Sequence, residues 1–224
     1  DENGYLSLIQ IEYEINNKKQ MNLINIKPSQ KVKAHNSLIK SISFFERLNI
    51  IISFSEEGQI TINNARDFNI INIIELGDEF CIKNIKISEY DLIYILCTDK
   101  ENEKFNYIKC YSLNGIKFTE LKTEDKIINF FTYETLLVVY ENNFIESFNL
   151  YDLDGKSLNK IELNKTTRKD SKNKQKAVAN DKTKEKQNTK IIFCCLSESD
   201  KNLIVIYDDY QYIIEDIAYM LMKD

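Results

Sequence analysis

One rhythm recurs four times along the chain, and a recurring unit limits the possible folds more than any single motif does. Residues 39–48 read IKSISFFERL, 82–92 IKNIKISEYDL, 127–136 IINFFTYETL and 191–203 IIFCCLSESDKNL. Each is an apolar, partly alternating stretch that runs into a short polar turn with one or more acids. A second apolar run follows every time, over residues 49–54, 93–97, 137–140 and 204–207. From Ile39 to Ile82 is 43 residues and from Ile82 to Ile127 is 45. The next interval, to Ile191, is 64 residues, but about 26 of them form a polar tract at 164–189, and removing it leaves about 38.

A period near 40–45 residues with four short strands per unit is the signature of propeller blades. The expected fold class is therefore all-β, part of a β-propeller made of four-stranded antiparallel blades. Composition agrees. Ile, Leu, Phe and Tyr dominate the apolar residues, with one Pro, no Trp and five Gly in 224 residues, a bias toward strands. Residues 1–27 read as the last strands of an earlier blade, with strands near 5–13 and 21–26. Three blades follow within 28–163, at about 35–77, 78–121 and 122–163. Residues 190–224 hold a final blade and tail, the tail a short helix or a terminal strand. The chain begins at Asp1, shows no signal peptide and opens in mid-blade, so further blades are expected upstream.

Turn chemistry sorts several tempting motifs. Tyr111, Leu113, Asn114 and Gly115 recur 40 residues on as Tyr151, Leu153, Asp154 and Gly155. Asn-Gly and Asp-Gly between apolar runs are strong hairpin signals, because a type I′ turn needs positive φ at both central residues. Asp152-Leu153-Asp154-Gly155 resembles part of a calcium loop. Placing Gly155 at loop position 6 would put Leu150 and Ile161 where an EF-hand needs acids, so the turn prevails. Glu56 and Glu57 could be an acid/base pair. They stand where the other units carry Asn3-Gly4, Asn142-Asn143 and Asp208-Asp209, so they are hairpin residues first.

Charge and residue counts narrow the function. The formal charge of −5 is no nucleic-acid footprint, and no apolar run is long enough to span a membrane as a helix. The five cysteines have irregular spacing and no Cys-x-x-Cys, which fits free thiols in a reducing, cytoplasmic compartment. Cys194 and Cys195 are neighbours on a strand and point to opposite faces, so they make no metal pair. His35 is the only histidine, and there is no Gly-x-x-x-x-Gly-Lys loop. No catalytic, cofactor-binding or metal residues are assigned.

Binding residues are expected in the loops. Asp78, Glu79, Glu124 and Asp125 fall between blades. Glu56, Glu57, Asp208, Asp209 and Tyr210 fall between second and third strands, and both loop classes lie on one face of a propeller. Tyr133 and Tyr210 sit in turns and could anchor a partner. Residues 164–190 carry ten Lys or Arg against three Asp or Glu, leaving −12 on the rest of the chain. Such a tract cannot offset its ordering entropy by burial and reads as a mobile basic insert. It could fold over the acidic face and compete with a basic partner, or touch anionic lipid, which would make the protein peripheral to membranes.

Two resemblances sharpen this. Lys33-Ala34-His35, then Ser53 to Glu57-Gly58, then residues 60–64 (ITINN) resemble a degenerate WD repeat. His35 stands in the place of the family's Gly-His, Glu57-Gly58 in that of its Asp-Gly, and Asn63-Asn64 in that of its Trp-Asp. The resemblance implies a structural role for His35, Ser53, Glu57 and Gly58, although the usual His–Asp–Ser–Trp hydrogen-bond set is incomplete without Trp. Over residues 33–217, the succession KAHNSLIKSISFFERLNIIISFSEEG, a long polar loop before YSLNGIKF, and IIFCCLSESDKNLIVIYDD resembles the C-terminal propeller of BEACH-domain proteins, the neurobeachin and beige-like family. That implies a non-catalytic protein-interaction scaffold in vesicle traffic, without a cofactor, whose partners are other proteins. A propeller of another large cytoplasmic assembly, ciliary or coat, is the alternative.

Overall fold

The computed structural model describes residues 1–16, 19–154, 156–163, 189–197 and 202–217. Most of the basic insert, at 164–188, and the tail at 218–224 lie outside the described residues. The chain divides into two compact units: Asp1–Glu103 with Tyr107–Phe118, and Lys104–Asn106 with Thr119–Asp224.

Among the described residues there are seventeen strands, joined by turns and one short 3-10 segment. The chain is all-β, and its strands form successive antiparallel sheets in which sequence neighbours pair. A two-stranded ribbon comes first, from β1 (Tyr5–Ile15) and β2 (Met21–Lys33). Next is β3 (Ile39–Phe45), β4 (Ile50–Ser55), β5 (Gln59–Asn64) and β6 (Ile70–Glu75), in the order β3-β4-β5-β6. The second four-stranded sheet has the order β10-β9-β8-β7, from β7 (Phe80–Ile87), β8 (Leu92–Asp99), β9 (Asn106–Ser112) and β10 (Lys117–Thr123). The third is β11 (Ile127–Thr132), β12 (Leu136–Tyr140), β13 (Phe144–Phe148) and β14 (Asn159–Glu162). The last has three described strands, β15 (Ile191–Leu196), β16 (Asn202–Tyr207) and β17 (Tyr212–Asp216).

The second strands explain their continuous apolar sequences. β8 (LIYILCTD) and β12 (LLVVY) are buried almost throughout, so both faces need apolar side chains. In the second unit, Leu137, Val139 and Ile145 pack with Ile191, Cys194, Val205 and Tyr207 in one core. Asn129 ties the same two sheets by donating from Nδ2 to the Cys194 carbonyl at 3.1 Å, while its Oδ1 accepts from the Phe130 N–H.

The repeat has a finer mark than its period. The first strand of each of these four sheets slips register after its first Ile, between Ile39/Ser41, Ile82/Asn84, Ile127/Asn129 and Ile191/Phe193. The residue left without an opposite partner is Lys40, Lys83, Ile128 or Ile192. A bulge of this kind bends the strand and re-aims the extra side chain.

Three expectations need correction. β2 runs to Lys33, well past the expected end near residue 26, because Lys27–Lys33 still pair with β1. The last sheet shows three strands, not four, among the described residues. Asp154-Gly155 does not make a tight hairpin equivalent to Asn114-Gly115. Residues 149–158 connect β13 to β14, with Leu150 and Leu153 buried and the Leu153 N–H held by Thr119 Oγ1 at 3.1 Å. Burial of those two leucines outweighs the local turn preference. Gly155 itself lies outside the described residues.

Candidate functional site

His35 lies just after β2 and is 2 % exposed. Its Nε2 is hydrogen-bonded to Ser53 Oγ at 2.8 Å and to Thr61 Oγ1 at 3.1 Å, and the two hydroxyls are 2.9 Å apart. Burial lowers the His35 pKa below its ordinary value, so the ring is neutral at neutral pH. A neutral histidine closed in by two hydroxyls on adjacent strands is a fastener. Glu57 is exposed and stands outside this triangle, and Gly58 is buried in the turn next to it. Thr61 was not among the expected residues. Its signal was present, since β5 places it directly opposite Ser53 on β4.

The turn end of the first unit gathers Glu56, Glu57, Asp78 and Glu79. The β4–β5 turn and the β6–β7 connection meet there, with the Leu76 N–H donating to the Gly58 carbonyl at 3.1 Å. Glu56 is not half of a carboxylate pair: its Oε1 is 2.9 Å from Lys40 Nζ, and Lys100 Nζ donates to its carbonyl at 3.4 Å. The Lys100 N–H in turn donates to the Glu79 carbonyl at 2.8 Å. Beside these loops, between the sheet of β3–β6 and the strands β7 and β8, lies an open cleft of about 560 Å³. Phe54 and Ile82 line its apolar part, and Lys40, Lys83 and Lys100 its basic part.

In the second unit the expected acids are likewise partnered. Glu124 pairs with Lys104 at 2.5 Å, and Asp125 accepts from Asn142 Nδ2 at 3.1 Å. Glu141, which the sequence did not single out, lies between Lys126 at 2.8 Å and Lys190 at 3.0 Å. Hydrogen bonds from both ammonium groups hold its pKa below the usual carboxylate value. Asp208 and Asp209 form the β16–β17 turn with Tyr210, which is 85 % exposed with φ +61°. Tyr133, in the β11–β12 turn, is also exposed. The acids of each unit are thus interleaved with lysines in place of the bare acidic surface expected.

The largest feature the loop reasoning missed is apolar. On β1, Ile9, Ile11, Tyr13 and Ile15 share one face, opposite Pro28, Ile26, Leu23 and Met21 on β2. The seven of these that are Ile, Leu, Met or Tyr are each 54–69 % exposed. The other face carries Gln10, Glu12 and Glu14 opposite Lys27, Asn25 and Asn22. At roughly 100 Å² per residue the apolar face offers about 700 Å², close to what one partner buries in a standard protein interface. The last sheet has a smaller counterpart. Phe193, Tyr212 and Ile214 are exposed on the face turned away from its core.

Among the described residues no three His, Cys, Asp or Glu side chains gather as a metal site, and no helix is long and apolar enough to cross a membrane. No family model matches the chain, and no curated protein matches it. Among solved structures, the chain is similar to the computationally designed Ika8 protein, with TM-score 0.53 and 10 % identity, over 83 % of this chain and 48 % of that one. It is similar to the computationally designed Ika4 protein with TM-score 0.53 and 11 % identity, over 83 % of this chain and 95 % of that one. The chain therefore spans about half the length of Ika8 and nearly all of Ika4. At such identity the likeness concerns the fold alone, a β-rich chain of blade-like antiparallel sheets.

Proposed function

We propose that this chain is part of a degenerate WD-type β-propeller that serves as a protein-interaction scaffold, of the kind that BEACH-type trafficking proteins carry. The observation that carries the proposal is the amphipathic β1–β2 ribbon, with seven large apolar side chains presented on one face and polar ones on the other. Isolated exposed apolar residues need no explanation, but a contiguous face of this area marks a surface meant to be covered. The repeated four-stranded meander with its recurring bulge supports the propeller, in which ribbon and last sheet pack against further blades. The rigid sheets then hold the turn-end loops, with Tyr133, Tyr210 and the ion-paired acids, in fixed positions for protein partners. The sole histidine is occupied as a structural fastener, which fits display better than chemistry.

The test is affinity purification of the full-length protein from its own cells, with residues 1–224 deleted in the control. The scaffold reading requires that the deletion lose a defined set of proteins. An identical partner list with and without the region contradicts it.

A further inference from the structure

The lysine cleft of the first unit is assigned to no role by the propeller reading. Its position follows from the repeat. The bulges at the start of β3 and β7 re-aim Lys40 and Lys83, and both line the cleft; Lys100 reaches it from the β8–β9 connection. The architecture does not require lysine at such bulges, because the equivalent residues on β11 and β15 are Ile128 and Ile192. Lys40 is matched by Glu56. Lys83 and Lys100 make no ion pair among the described residues. Asp99, on the rim, is engaged elsewhere: its Oδ1 accepts from the Glu101 and Asn102 N–H groups at 2.9 and 3.0 Å. The floor is apolar, with Phe54 and Ile82 buried. Two uncompensated ammonium groups over an apolar floor, in about 560 Å³, suit a ligand that alternates negative and apolar groups.

We propose that the cleft between the β3–β6 sheet and strands β7–β8, where strand bulges present Lys40 and Lys83 beside Lys100, binds an acidic peptide segment of a partner protein. The carboxylates lie against Lys83 and Lys100, and an intervening apolar side chain rests on Phe54 and Ile82. This rests on the scaffold reading and gives it a partner chemistry opposite to the basic one that the acidic loops favour.

The probe is a fluorescein-labelled peptide of alternating Glu and Leu, titrated with the full chain and followed by anisotropy, with a Gln/Leu peptide as control. The proposal expects saturable binding of the Glu peptide alone, weakened at least tenfold by Lys83→Ala/Lys100→Ala and weakened by added salt. A Lys27→Ala/Lys31→Ala variant, remote from the cleft, should bind as the parent does. Circular dichroism checks that both variants keep their strands, as expected for exposed side chains. No saturable binding, or equal binding by the cleft variant, overturns the proposal. So does binding to phosphatidylserine vesicles that the cleft variant loses when the peptide does not bind at all. If the cleft variant leaves the purified partner set intact, the cleft assignment fails while the scaffold stands; if the whole-region deletion also changes nothing, the scaffold itself fails.

Discussion

His35 Nε2 and Ser53 Oγ lie 2.8 Å apart in a fully buried contact that joins the segment after β2 to the centre of the next sheet. Thr61 completes the triangle. Thr61→Val keeps the shape and removes one hydroxyl, so it should cost about 1 kcal/mol. His35→Ala leaves a cavity and two hydroxyls without their shared partner, and should cost about 2–3 kcal/mol. Urea unfolding midpoints of the two variants measure the difference.

The same histidine makes stability depend on pH in a set direction. Its folded pKa is below the ordinary 6.5, so above that pH neither folded nor unfolded chain carries the proton. Below 6.5 the unfolded chain takes up a proton that the folded one resists. Stability therefore falls as pH drops from 6.5 toward the lowered folded value, by at most about 1.4 kcal/mol per pH unit. His35→Gln should flatten that slope between pH 6.5 and 5, above the range where most carboxylates titrate. An unchanged slope in denaturation curves would show that other groups produce it.

Gly58 and Gly115 both have φ of +80°, but their surroundings differ. A Cβ on Gly58 would stand 2.6 Å from the Gly77 carbonyl oxygen, where backbone cannot move aside cheaply. On Gly115 the nearest atom would be the Asn72 amide nitrogen at 3.0 Å, the end of a side chain. Gly115→Ala should cost about 1 kcal/mol for its backbone conformation, and Gly58→Ala clearly more. Thermal melts of the pair should rank them in that order.

The thiols should react in an order set by burial. Cys97, Cys110 and Cys194 are buried and Cys81 and Cys195 half-buried, and none forms a disulfide. Burial pushes the Cys110 thiol up to about 11. Alkylation of the native protein at pH 8, read by mass spectrometry, should modify Cys81 and Cys195 first and leave Cys110 untouched until unfolding.

Much of this fold was legible because the repeat is written in strand-length apolar runs. Ile39, Ile82, Ile127 and Ile191 each open a first strand, and the acids after them fall in the first turns. The Asp154-Gly155 turn misled, because a two-residue signal says nothing of Leu150 and Leu153, whose burial is decided by tertiary packing. The site was less legible. Sequence gives the acids at the turn end but not the lysines that reach back to them, since Lys40 and Lys83 owe their direction to register slips. The apolar face of the ribbon is visible as alternation in YLSLIQIEYEI, but only the structure shows that nothing among the described residues covers it.

That face should govern the behaviour of the chain in isolation. Ile11→Lys with Leu23→Lys removes two of its central apolar side chains. Both are exposed, so melting temperature should stay within a few degrees while light scattering at high concentration falls. A large loss of stability instead would mean that the face packs within the chain.

The most direct measurement is site-specific photocross-linking in the full-length protein in its own cells, with a photoreactive phenylalanine replacing Tyr13 and, in a second sample, Glu14. The two residues are adjacent on β1 but lie on opposite faces of the ribbon. If the apolar face is a docking surface for further blades or partners, position 13 gives a strong cross-link to protein and position 14 gives little. Equal, weak cross-linking at both positions would mean that the face stays bare in the cell and would contradict the scaffold.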